Sequence, residues 1–302
     1  MTEKSEFQAM YRNARLYDDV LPQHLFNGVE DVELVARLMR DHFGRPASSR
    51  ALSVVEFGCG SGRVTASLAP YASKLVAVDK SPSMVATAAA RYPSANVRCL
   101  DMQQAVAQMV DDEGLVGTFD VVGAFWSLSY PLGECFEELT VDGIQPAHDQ
   151  TRARQRAGRL VRDLIRLVAP DGHLLVLFFD SETREQRLVT RLWERIAPFP
   201  EGGRDYTRKI LVEELRAAED RGDGWLTHTR HGGVAVLPTK QAALAWFRHA
   251  HLKDLPMLVN DPVVQDEICR FIDACTVPSG TVVIPSGAHV LDFRARSPFS
   301  EW

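Results

Sequence analysis

An α/β protein with a doubly wound, mostly parallel sheet is predicted by the way short apolar runs end in glycines or carboxylates along this chain. The run Leu52 to Val55 leads into Glu56-Phe57-Gly58-Cys59-Gly60-Ser61-Gly62, and a helical pattern begins near Arg63. Glycines are needed where a chain turns sharply out of a strand and a ligand approaches the backbone, and the following helix turns its free N–H groups toward that ligand. A second run, Lys74 to Val78, ends in Asp79. It lies about twenty residues past the glycine turn, where a ribose-binding acid belongs in a nucleotide-binding half-sheet. The rhythm continues with Asn96 to Leu100 ending at Asp101, with Phe119 to Phe125, and with His173 to Phe179 after the turn Ala169-Pro170-Asp171-Gly172.

The glycine spacing discriminates between two cofactor classes. A dinucleotide fingerprint requires glycine where Arg63 stands. The pattern E-x-G-x-G-x-G from Glu56 to Gly62, with Asp79 and Asp101 ending the next two strands, resembles the class I S-adenosylmethionine-dependent methyltransferases of small-molecule type. The resemblance covers residues 51–180. It implies a Rossmann-like seven-stranded sheet, mostly parallel with an antiparallel last strand, and S-adenosyl-L-methionine as cofactor. By the same resemblance Glu56, Gly58, Cys59, Gly60 and Gly62 face the methionine end, Asp79 binds the ribose hydroxyls, and Asp101 with the Met102 backbone reads the adenine. Met84 is assigned to the adenine pocket, and Lys80 and Phe125 complete the cofactor set.

Around that core the chain divides into an N-terminal helical segment (1–50), the cofactor-binding core (51–180), a cap (181–280) and C-terminal strands that complete the sheet (281–302). Val32, Val35, Leu38, Met39, His42 and Phe43 recur at helical spacing and predict a helix over 29–43. Upstream, Tyr17 is a candidate to fold over the cofactor, a role tyrosines of such segments play in the family resembled. Ser81 and Pro82 start a helix, an N-cap and a first-turn proline. Helices are also expected over 63–69, 103–114 and 151–168. Residues 133–150 read as an irregular lid carrying His148. In the cap, helices are expected at 184–196, 209–218, 240–251 and 262–274. One hairpin is expected around Gly232-Gly233 and another around Pro285-Ser286-Gly287.

The bulk properties exclude several partners. With 302 residues, 45% hydrophobic, 25% charged and a formal charge of −6, the chain reads as an ordinary globular protein with no basic signature for nucleic acid. No stretch is long and apolar enough for a membrane span. The five cysteines form no C-x-x-C pair and suit a reducing cytoplasm without disulfides or zinc. An excess of arginine over lysine and abundant alanine point to a GC-rich bacterial genome. A homodimer is compatible with the sequence.

The expected activity is methyl transfer to a nitrogen or oxygen of a small molecule in a bacterial biosynthetic pathway. Trp126 and Tyr130, in the segment after the fourth strand, are the candidate acceptor-site residues, together with Tyr17 and His148; His249 and His251 are further candidate bases. Two aromatic faces would favour a cationic amine product. The segment Phe125 to Pro131 offers no metal-ligand cluster, so no metal is expected. Two alternatives stay open: an NAD(P)-dependent oxidoreductase, and a non-catalytic S-adenosylmethionine-binding protein.

Overall fold

A computed structural model describes residues 18–46, 51–140 and 143–297. After a helical end at residues 18–20, β1 (Gln23–Phe26) and β2 (Val29–Glu30) form a hairpin. Its two-residue turn is Asn27-Gly28, both left-handed at φ 51° and 79°, as a type I′ turn requires. α1 (Asp31–Phe43) buries Val35 and Met39 and ends at Gly44, whose φ is 75°. Then β3 (Leu52–Phe57), α2 (Thr65–Leu68), β4 (Ala72–Asp79), α3 (Pro82–Arg91), β5 (Asn96–Cys99), α4 (Met102–Asp111) and β6 (Phe119–Phe125) alternate. α5 (Ser129–Gly133) leads to β7 (Glu137–Thr140) and β8 (Gly143–Pro146), which pair as a separate small sheet. α6 (Gln150–Leu167), β9 (Val168–Phe179), α7 (Arg184–Glu194), α8 (Tyr206–Asp220) and β10 (Gly224–Leu237) follow. α9 (Lys240–Trp246) runs into a π-helical turn (Phe247–His251), and α10 (Pro256–Val259), α11 (Pro262–Ala274) and β11 (Val282–Ala295) close the described chain.

The main sheet has the order β2-β1-β10-β11-β9-β6-β3-β4-β5. β5, β4, β3, β6 and β9 are mutually parallel, and β11 is antiparallel to both β9 and β10. The chain winds outward from β3 to β5, then returns to place β6 on the other side of β3. That reversal opens a crevice at the carboxyl ends of β3 and β6, the place where open α/β sheets bind ligands. Both faces are covered. Val54, Val121 and Leu175 pack with Val35 and Met39 of α1 and Leu68 of α2 on one side. Val55, Val122 and Leu174 pack with α4, α6 and α8 on the other, through Val106, Val161 and Leu211. No helix among the described residues is long and apolar enough to cross a membrane.

Four expectations are corrected. The sheet has nine strands rather than seven, because the β1–β2 hairpin, in a region read as helical, extends it beyond β10. Residues 133–150 are not an irregular lid, since they follow directly from α5 and contain the β7–β8 pair. The two expected hairpins do not exist: β10 and β11 are continuous and pair along their whole length, so the cap expected over 181–280 is interrupted by a sheet strand. The supposed turns lie opposite each other, Gly232 against Gly287 and Val234 against Pro285. Gly233 serves a close approach instead. A Cβ there would sit 2.2 Å from Leu25 O of β1, so glycine is what lets the hairpin dock. Pro285 is tolerated because β9 has already left β11, its last partner pair being Phe179 with Ala288.

Candidate active site

The glycine turn is fixed largely by its own backbone. Gly58 N and Cys59 N both donate to Val78 O at the end of β4, at 2.7 and 3.0 Å, and Gly62 N donates to Cys59 O at 3.0 Å. Gly58, Gly60 and Gly62 have φ of 72°, 55° and 88°, a region that favours glycine. A Cβ at Gly58 would strike Ser127 at 2.2 Å, and one at Gly62 would strike the Tyr92 ring at 2.8 Å. At Gly60 a Cβ would meet nothing within 4 Å, so this glycine borders open space. Gly60 N donates to Asp79 Oδ2 at 2.9 Å and Ser81 N donates to Asp79 Oδ1 at 2.8 Å. Each carboxylate oxygen keeps a lone pair for a further donor. Burial pushes the Asp79 carboxyl up despite those donors.

The rest of the cofactor set gathers at the same edge. Glu56 is fully buried and accepts from Thr65 Oγ1; burial raises its pKa to about 8, against that hydrogen bond. Burial also pushes the Cys59 thiol up, which makes it an inert packing group. Lys80 Nζ pairs with Glu134 Oε1 at 2.8 Å. Asp101 caps α4, its Oδ1 accepting from Gln103 N at 2.8 Å. Met102 Cε reaches to 3.7 Å from the Cβ position of Gly58, and Ser127 Oγ donates to Phe57 O at 2.7 Å. Phe125 is buried at the end of β6, and Met84 is buried in the first turn of α3.

Arg63, the residue that breaks the dinucleotide fingerprint, has a structural partner. Its guanidinium grips Asp31 of α1 with both terminal nitrogens, at 2.7 and 2.6 Å, and Trp126 Nε1 donates to the same carboxylate at 2.8 Å. Burial alone would raise the Asp31 pKa, but these donors outweigh it and hold the carboxyl below its ordinary value. Trp126 itself is left-handed at φ 61°. One carboxylate therefore ties the glycine turn, α1 and the segment after β6 together.

Against that knot lies His24 of β1, which sequence reasoning passed over. Its ring stacks with Trp126 at 5.7 Å and with Phe26 at 5.9 Å. Its Nδ1 is buried and has no hydrogen-bond partner among the described residues. Burial lowers its pKa below 6.5, partly offset by the Asp31 and Glu185 carboxylates. Burial thus favours the uncharged imidazole, which leaves a ring nitrogen with acceptor capacity.

Tyr130 faces a group of charged side chains that also escaped sequence reasoning. Lys253 Nζ lies 4.4 Å from its ring centroid, and Arg204 Cζ lies 5.0 Å from that of Phe179 at the end of β9. Arg204 Nη1 donates to Gln186 Oε1 at 2.9 Å, Gln186 Nε2 donates to Glu185 Oε1 at 2.8 Å, and His251 Nε2 lies 2.8 Å from the same oxygen. Tyr206 donates its hydroxyl proton to Glu137 Oε1 at 3.2 Å. Burial lowers the pKa of both Lys253 and Arg204 and raises that of Glu137.

The remaining candidates stand apart. Tyr17, with Tyr11, lies outside the described residues. His148 is exposed on the link between β8 and α6, and no hydrogen bond or ion pair joins it to the site among the described residues. His249 is taken up by Asp254, 2.9 Å away. One cluster of potential metal ligands, His42, His173 and Asp292, lies toward the amino end of β9, at the opposite edge of the sheet. Its imidazole rings stack 4.1 Å apart at 26°, and each contacts a different oxygen of Asp292. The Asp292 carboxylate thus bridges the two imidazoles.

Residues 54–142 match the model of a family described as "Methyltransferase domain". A ubiquinone biosynthesis O-methyltransferase of Azorhizobium caulinodans is 32% identical over 201 residues, covering 65% of this chain and 69% of that one. Its counterpart in a Caulobacter species is 25% identical over the same length and shares. Among solved structures, the YcgJ protein of Bacillus subtilis superposes with a TM-score of 0.50 at 14% identity, over 88% of this chain and 99% of that one. The [4+2]-cyclase SpnF superposes with 0.52 at 15% identity, over 96% and 95%. Likenesses at that identity show the fold alone.

Proposed function

This chain belongs to the class I S-adenosylmethionine-dependent methyltransferases, and from that premise we propose that it methylates a hydroxyl oxygen of a small molecule with His24 as the base. S-adenosylmethionine is its cofactor, and the residues at the crevice suit it. Gly60 leaves open space, Asp79 keeps acceptor capacity for ribose hydroxyls, and Asp101 and Met102 stand beside it for the adenine. When bound, the cofactor supplies an electrophilic methyl on a sulfonium whose departure leaves a neutral thioether. The chain's own residues then have three tasks: alignment, exclusion of water, and removal of one proton.

His24 carries the oxygen assignment. A hydroxyl must lose its proton as it attacks, and His24 offers an uncharged, unpartnered Nδ1 against the segment after β6. The amine preference drawn from two aromatic walls loses its premise. Lys253 covers one face of Tyr130, and Trp126 is stacked with His24 and packs at a tilt on Phe26, its N–H committed to Asp31. A nascent ammonium would meet a fixed ammonium at Tyr130. The names of the two curated relatives agree with transfer to oxygen in a biosynthetic setting. Fold alone would not decide the reaction, since a cyclase shares it. Among the described residues the segment after β6 brings no ligand cluster to the site, so EDTA should leave turnover unchanged.

The test is to incubate the protein with methyl-deuterated S-adenosylmethionine and a panel of phenols, alcohols and amines, then locate the label by mass spectrometry and NMR. The expected product carries it on oxygen. His24→Gln should lower kcat on the order of 10²–10⁴-fold, the usual worth of a positioned base, with affinity for S-adenosylhomocysteine unchanged. Label on nitrogen or carbon would contradict the assignment.

A further inference from the structure

We propose that the acceptor carries a carboxylate, held between Arg204 and Lys253 at the mouth of the site. This rests on the methyl-transfer reading and names the substrate class within it. Both side chains are half-buried, and neither has a carboxylate within 4 Å among the described residues. Every nearby acid has another partner. Glu134 pairs with Lys80, Glu185 with His251 and the Gln186 amide, and Glu137 accepts from Tyr206. Among the described residues Arg204 is steadied by a neutral amide and the Phe179 ring, and Lys253 by the Tyr130 ring. Two half-buried cations whose nearest acids stand beyond ion-pair distance gain from an anion placed between them, and they attract one by charge complementarity.

The backbone at Lys253 supports a built site. Lys253 and Asp254 are consecutive left-handed residues, at φ 52° and 55°, directly after the π-helical turn. Asp254 N donates to Arg248 O at 3.0 Å, and its carboxylate takes Arg248 and His249, which locks the pair. Strain of this kind persists where surrounding structure enforces it, and here it aims an ammonium at Tyr130. Tyr130 follows β6 and Phe179 ends β9, so both cations sit at the carboxyl edge of the sheet, beside Lys80 and the cofactor turn.

A monoanion suits the charges better than a dianion. Glu137 and Glu185 lie near the two cations, and Lys80 adds a third positive charge that Glu134 offsets. A carboxylate adds a single negative charge to this group, whereas a phosphate dianion adds two and is repelled more strongly by the surrounding acids.

The experiment begins with S-adenosylhomocysteine titrated calorimetrically into the wild-type protein; absence of binding would refute the methyl-transfer reading itself. The saturated complex is then titrated with benzoate, benzamide and phenyl phosphate at pH 7. Benzoate should bind at least about tenfold more tightly than benzamide, as expected for a charge-assisted contact, and more tightly than phenyl phosphate. Lys253→Met and Arg204→Met should each shrink the benzoate preference, and Lys253→Arg should retain it. The wild-type comparison decides even where a variant fails to fold. Equal binding of benzoate and benzamide, binding of neither, or a preference that survives both methionine substitutions would overturn the carboxylate subsite. Tighter binding of phenyl phosphate would overturn the choice of a monoanion.

Discussion

The two halves of the site are built in different ways. On the expected cofactor side, the residues sit at or just beyond strand ends, and the glycine turn is held by backbone bonds from a neighbouring strand, as with Gly58 N and Cys59 N on Val78 O. On the proposed acceptor side, His24, Trp126, Arg204 and Lys253 come from four distant segments. They meet only because a hairpin, a loop and two parts of the cap converge on one sheet edge. The first half depends on local conformation, the second on docking. Damage to docking should therefore lower turnover while sparing cofactor affinity, and damage to the strand ends should do the reverse.

The strongest way to break the second half is Gly233→Ala. The new Cβ would lie 2.2 Å from Leu25 O, a backbone atom that cannot yield without moving β1. A loss of about 2–4 kcal/mol in stability is expected, as for overpacking against backbone. A sharp fall in kcat should accompany it as His24 shifts. Urea unfolding and turnover assays check both, and unchanged turnover would detach His24 from the chemistry. The matching cut in the first half is Asp79→Ala. Losing an ionised hydrogen-bond partner costs about 1.5–3 kcal/mol, so affinity for S-adenosylhomocysteine should fall roughly ten- to a hundredfold. Calorimetry on the folded variant is the check, and unaltered affinity would remove Asp79 from the site.

A smaller effect concerns pH and lies outside both halves. His289, buried between β9 and β10, has its pKa lowered to about 4 by burial, with Arg208 adding repulsion. Below the ordinary value of 6.5 the unfolded chain takes up a proton that the folded chain does not. Stability therefore falls as pH drops from 6.5 toward 4, by about 1 kcal/mol at pH 5.5. Asp292 follows lower down. Burial pushes its carboxyl up, but the hydrogen bonds from His173 and His42 hold it at about 2. Its contribution is present above pH 4 and is lost as pH falls through about 2. Thermal unfolding between pH 7 and 5 in the wild type and His289→Gln isolates the first step. Parallel curves would show that His289 does not titrate as stated.

The same division explains what could be read in the sequence. Glu56 to Gly62, Asp79 and Asp101 were legible because strand ends and left-handed turns demand particular residue types at particular spacings. The continuity of β10 and β11 was not legible. Gly232-Gly233 and Pro285-Ser286-Gly287 carry the composition of turns, and only the facing register and the approach of β1 show why they stay extended. Asn27-Gly28 did carry a hairpin signal, but helical spacing downstream drew that region into the wrong class. His24, Arg204 and Lys253 had no local pattern at all. Their proximity is a property of the folded sheet edge, and a lone histidine or lysine in sequence cannot announce a partner far along the chain.

The pH dependence of kcat/KM tests most directly whether His24 is the proton acceptor of an oxygen methyltransferase. With the acceptor found in the labelled panel, wild-type kcat/KM should be flat near neutrality and fall on an acid limb whose midpoint lies below 6.5, because burial lowers the pKa of the His24 ring. In His24→Gln that limb should vanish from a much slower reaction while S-adenosylhomocysteine binds as before. An acid limb of unchanged position and height in His24→Gln would contradict the assignment.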